Sequence, residues 1–151
     1  MQAIFHRVIV VFALALVASP VLAAEKAATH RIAIQVSQND PERMSLALFN
    51  TANAIKYYSG KGESIEVEVV AYGPGLNMLR VDTSPVKDRI KSLKASEIGG
   101  EIHFSACHNT KEAMEKREGH PIKIIPEATV VPAGIVRLTQ LEEQGWSYIR
   151  P

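Results

Sequence analysis

One residue in the chain of 151 is a cysteine, Cys107. A lone thiol excludes an intramolecular disulfide framework and any cysteine-rich metal site. Neither sign of charge is in excess. Seventeen basic residues stand against sixteen acidic ones, a formal net charge of +1 that gives no electrostatic footprint for nucleic acid. The GxGxxG fingerprint and the P-loop pattern are missing, and so are a nucleophile elbow and a Ser-His-Asp order. No repeat, low-complexity run or linker divides the chain. What is there has an ordinary globular balance, 46% hydrophobic and 22% charged, enough for one domain with its own core.

The first 23 residues read as a signal peptide. Arg7 is followed by an apolar run from Val8 to Ala18, a break at Ser19-Pro20, and Val21-Leu22-Ala23 as a cleavage site. The run is shorter than the ~20 residues a membrane-spanning helix needs. Residues 24–151 are then a single exported domain, periplasmic in a bacterium. This part is formally neutral, because the leader removes one arginine and no acid. No later segment is apolar enough to span a bilayer, so no membrane association is expected after cleavage.

Along the remaining chain, apolar runs alternate with helical periodicity. Arg31–Val36 reads as a strand and Asp40-Pro41 as a helix N-cap with proline at the first position. Met44, Leu48, Ala52 and Ile55 lie on one helix face. Ile65–Tyr72 is a second strand, and Gly73-Pro74-Gly75 reads as a turn. A helix with Val86, Ile90 and Leu93 inward opens at Ser84-Pro85. Glu101–Ala106 is a third strand, and Asn109 with Glu112 reads as a capping box for a third helix. Ile122–Ile125 reads as a short fourth strand, resumed at Thr129–Val131. Ile135, Leu138 and Leu141 mark a fourth helix, and Trp146–Ile149 a last strand. This alternation predicts an α/β fold, a three-layer doubly wound sandwich of about five mostly parallel strands.

In such a sheet, ligands bind beyond the carboxyl ends of the strands. Asn39, Tyr72, Gly73, Gly75, His108, Asn109 and Pro132 fall there and are candidate binding residues. Cys107, at the end of the third strand and close to a helix start, is the candidate catalytic residue. Free N–H groups at a helix start stabilise a thiolate, whereas a free cysteine is also often a small buried hydrophobe. From spacing alone both readings stand. The glycine pair around Pro74 admits an anion in principle but reads first as a turn. His30, His103, His108 and His120 show no metal-ligand spacing, so neither a metal nor a cofactor is expected. A metal site would need His103, Cys107 and His108 to converge. By strand alternation His103 shares a face with Ser105 and Cys107.

Three segments resemble the DsrE/DsrF-like family, relatives of the sulfur-relay proteins DsrE and TusD. They are Val70-Ala71-Tyr72-Gly73-Pro74-Gly75-Leu76, Phe104-Ser105-Ala106-Cys107-His108-Asn109-Thr110, and Val131-Pro132-Ala133-Gly134-Ile135-Val136-Arg137-Leu138 with its continuation to Pro151. The resemblance implies a flavodoxin-like sandwich and a homo-oligomer, commonly a trimer or hexamer. It also implies a persulfide-carrying cysteine at the position of Cys107, served by a sulfur-donor or acceptor protein. The relay proteins work in the cytoplasm, whereas this chain opens on an export signal. The other reading is a non-enzymatic periplasmic binding or assembly protein that uses the strand-end crevice without turnover.

Overall fold

Among the described residues, five segments form one parallel sheet: β1 (His30–Val36), β2 (Ile65–Ala71), β3 (Gly100–Cys107), β4 (Ala128–Val131) and β5 (Ser147–Ile149). The computed structural model describes residues 30–96 and 99–151. The leader expected over residues 1–23 lies outside the described residues. The strand order is β4-β3-β2-β1-β5. The chain steps outward from β1 to β4, then returns across the sheet to place β5 on the other side of β1. Four helices make the crossovers: α1 (Pro41–Ser59), α2 (Lys87–Ala95), α3 (His108–Glu118) and α4 (Gly134–Glu143). This is the three-layer α/β/α arrangement that the alternation predicts, and it is flavodoxin-like, as the resemblance implies.

The two faces of the sheet are covered unequally. Ile34, Val67, Val69, Ile102 and Phe104 point to one side, where α1, α2 and α3 contribute Met44, Leu48, Ile90 and Met114. Among the described residues the opposite side is packed by α4 alone, through a small cluster of Ala33, Val70, Leu138, Leu141 and Trp146. Since side chains alternate across a strand, Glu66, Glu68, His103 and Ser105 face this second side. Toward β3 and β4 it is an open polar groove of about 430 Å³, lined by those four residues together with Thr129 and Arg137.

Local signals explain most boundaries. Asp40 caps α1, its carboxylate accepting from the N–H groups of Glu42 (2.9 Å) and Arg43 (3.3 Å). Gly119, with φ 74°, closes α3 in the left-handed region. Three expectations need correction. The Gly73-Pro74-Gly75 segment is a 3-10 helix, Gly73–Leu79, rather than a simple turn. Ile122–Ile125 is not a strand of the sheet. It forms one antiparallel bridge, Arg80 to Ile124, while Ile122 and Ile125 fill the larger core. Finally, α3 begins at His108 with Cys107 as its N-cap, so Asn109 is inside the helix and the expected capping box does not form.

Two features fasten the 3-10 segment. Arg80, 3% exposed, donates to both oxygens of Asp82 (3.0 and 2.7 Å) and of Glu118 (2.9 and 2.8 Å), tying the chain after β2 to the end of α3. Hydrogen bonds from Arg80 hold the Asp82 carboxyl down at about 2. Gly75 lies against the backbone at the end of β1. A Cβ there would collide with the Val36 carbonyl oxygen and stand 2.6 Å from its carbon and 2.8 Å from Ser37 N. Gly75→Ala is therefore expected to lower stability by about 1–3 kcal/mol, as overpacking does. Urea unfolding checks this, and an unchanged midpoint would mean that the segment can shift without loss.

Candidate functional site

The carboxyl ends of β2, β3 and β4 bring the starts of two helices to one sulfur atom. Strand β3 runs into α3 without a loop, so Cys107 is at once the last strand residue and the N-cap. Strand β4 ends nearby at Val131, and three residues later α4 begins at Gly134. Neither helix has a side-chain cap hydrogen bond, leaving first-turn N–H groups free to act on the site.

Cys107 is buried, with 5% of its surface exposed. Burial pushes its thiol up, but the Thr110 hydroxyl and the N–H groups of Gly134, Thr110 and Asn109 favour the thiolate and win. The net result is a thiol held below its ordinary value. The hydroxyl is oriented for this: Thr110 Oγ1 accepts a hydrogen bond from the Gly73 N–H at 2.9 Å, leaving its proton for the sulfur. Gly73 is itself in the left-handed region, φ 51°, which suits glycine. The Asn109 N–H is shared with the carbonyl oxygen of Pro132 at 3.3 Å, fixing the β4–α4 connection to the start of α3. Tyr72 packs on Gly134 so closely that a Cβ there would lie 2.8 Å from Tyr72 Cβ. This contact lets the α4 start approach the sulfur.

Beside this centre is a cavity of about 450 Å³. Asn39, Gly73, Pro74, Asn77, Asn109, Thr110, Ala113, Met114 and Arg117 line it. Cys107 does not line it, but Gly73, Asn109 and Thr110 belong to both.

The expected site residues separate accordingly. Asn39, Gly73 and Asn109 meet at the cavity. Tyr72 and Pro132 belong to the surroundings of the sulfur. Gly75 is a packing residue under β1. His108 is an exposed first residue of α3 and lines neither feature. His103 does share the α4 side with Ser105, as the alternation implies. It is grouped with Glu66 and Glu101 rather than with Cys107 and His108. Thr110 and Gly134 fall in the strand-end segments 107–110 and 131–134 where ligands are expected, but the sequence assigns them no role, because their contribution is a hydroxyl and an N–H placed by chain direction. The alternating Glu66 and Glu68 in an otherwise apolar β2 were a usable signal that one sheet face is polar.

The fold and the strand-end site define a flavodoxin-like α/β protein with an N-capping cysteine. No family model matches the sequence, and no curated protein matches it. A solved structure does: MTH1491 of Methanobacterium thermoautotrophicum, described as a protein of unknown function. The match has 30% identity and a TM-score of 0.67, covering 81% of this chain and 99% of that one. The chain belongs to the same family as MTH1491.

Proposed function

We propose that the protein is an exported thiol-based sulfur carrier that holds a persulfide on Cys107 and works as a homo-oligomer with donor and acceptor proteins. The observation that carries this reading is the convergence of two helix starts and the Thr110 hydroxyl on one cysteine sulfur. The chemistry is thiol exchange. The Cys107 thiolate attacks the outer sulfur of a donor persulfide, a new S–S bond forms, and the donor leaves as its own thiolate. An acceptor thiolate then attacks the outer sulfur on Cys107 and regenerates the starting thiolate. No net oxidation occurs in either step. The donors that favour the thiolate also make it a better leaving group in the second step.

The test is intact mass after exposure to a small persulfide. The expected result is a gain of one sulfur atom per chain, removed by a thiol acceptor and lost in Cys107→Ser. A chain that gains no sulfur, and whose thiol resists alkylation while folded, overturns the proposal. The cavity favours a second reading, a non-enzymatic binding protein, because its lining omits the cysteine. On that reading Cys107→Ser keeps fold, oligomer and ligand binding intact.

A further inference from the structure

Far along the same sheet face, the register of β2 and β3 sets two acids side by side. Glu66 pairs directly with Glu101, and Glu68 with His103. Like charges directly opposite across a sheet destabilise it. Glu68 is neutralised by Arg137, through bonds of 2.7 and 2.6 Å, and also accepts from Ser105 at 2.6 Å. Among the described residues no arginine hydrogen-bonds Glu66 or Glu101, although Glu66 lies within electrostatic reach of Arg137. What they share is the imidazole of His103, whose Nε2 lies 3.4 Å from an oxygen of each.

At that distance neither contact is a good hydrogen bond. The imidazole is 43% exposed, but its Nε2 atom is covered and has no hydrogen-bond partner among the described residues. A buried polar atom in that state requires an explanation. It points at two carboxylate oxygens, and the three candidate donor atoms all lie within 4.8 Å of one another. One cation at their centre would satisfy the nitrogen and relieve the repulsion between the acids. The groove beyond them leaves room for water at a further coordination position.

We infer that Glu66, Glu101 and His103 form a binding site for one divalent transition-metal cation of the zinc class. Imidazole nitrogen with carboxylate oxygens is a donor set such ions accept, and three protein ligands leave a position open. Calcium and magnesium prefer all-oxygen surroundings, which His103 breaks. The remaining groups facing the groove are otherwise engaged or carry no role in the site. Lys94 donates to the Ile102 carbonyl oxygen at 2.5 Å, Arg137 holds Glu68, and Glu127 lies toward β4. The site is independent of the sulfur centre, since Cys107 is not one of its ligands.

Equilibrium dialysis of the purified protein against zinc chloride, followed by elemental analysis and calorimetric titration, tests this. The expected result is one zinc per chain, unchanged in Cys107→Ser. His103→Ala and Glu101→Gln should each weaken affinity about tenfold or more, as even the outer partners of metal ligands do when removed. Glu101 is exposed at the start of β3, so its variant keeps the fold even if the histidine variant does not. Zinc that does not bind, or binds equally to Glu101→Gln and to a folded His103→Ala, overturns the inference. Binding lost in Cys107→Ser also overturns it, because it places the metal at the thiol.

Discussion

Replacing Arg137 by alanine is expected to destabilise the protein by about 1–3 kcal/mol, less than for a fully buried ion pair because the guanidinium is one-third exposed. Glu68 is 2% exposed and sits between Arg137 and Ser105 in the middle of the sheet. Removing the guanidinium leaves a buried carboxylate with one hydroxyl. The large effect belongs to that orphaned charge more than to the attraction lost. Replacing both residues by methionine should therefore recover most of the loss, as apolar substitutes for buried pairs do. Urea unfolding of the two variants decides the matter. A change in Arg137→Ala within about 0.5 kcal/mol, the range of ordinary surface sites, would contradict it.

The pH dependence of this pair has a definite sign. Burial pushes the Glu68 carboxyl up, but hydrogen bonds from Arg137 and Ser105 outweigh it and hold the group below its ordinary value. A depressed folded value stabilises the protein above the carboxyl's unfolded range and is lost as pH falls through the folded value. In Arg137→Ala the carboxyl is buried and unpaired, so its value rises and protonation relieves the strain. The stability gap between the two proteins should accordingly narrow as the solution is made acidic.

The second large effect is at the sulfur. Thr110→Val removes the one side-chain donor to Cys107 while keeping the shape of the residue. A hydrogen bond to a charged group contributes about 1.5–3 kcal/mol, so the thiol should titrate about one to two pH units higher. Iodoacetamide alkylation followed against pH reads this shift directly. Thr110→Ser keeps the hydroxyl and should restore the wild-type profile, which a purely structural role for the residue would not predict. An unshifted profile in the valine variant would assign the thiolate to the backbone N–H groups alone. The variant also strands the Gly73 N–H, so a modest stability loss should accompany the shift.

The strands, the Asp40 cap and the layer order were legible because each rests on a local rule of period, cap or breaker. The errors arose where a local pattern had two tertiary solutions. Ile122–Ile125 has the composition of a strand, but Leu79, Arg80 and Val81 claim its backbone bonds instead. At α3, asparagine with a later glutamate is a good capping sequence. The strand reaches the helix without a loop, however, and cysteine takes the cap position although it is not a customary capping residue. Both helix starts are therefore visible in the sequence, but the approach of the second one to the Cys107 sulfur is not. Gly134 reaches the sulfur only through a parallel crossover whose spatial end point the sequence does not encode locally. The Glu66–Glu101–His103 grouping was hidden for the same reason, since it depends on the register between two strands.

The layer formed by α4 has a consequence for access to the thiol. It is attached through one small apolar cluster, the Arg137–Glu68 pair and the three-residue ladder of β5 on β1, to which Tyr148 adds a hydrogen bond to Gln35. Segments held by few buried contacts detach at lower free energy than the whole molecule unfolds. Detachment of residues 134–149 would bare Cys107 and at the same moment take away the Gly134 N–H. Opening also relieves the burial that pushes the thiol up, so the two changes act on the thiolate in opposite directions. Opening of the C-terminal segment would thus exchange one donor to the sulfur for the access of water, and α4 is the door through which a partner would have to reach the thiol from that side.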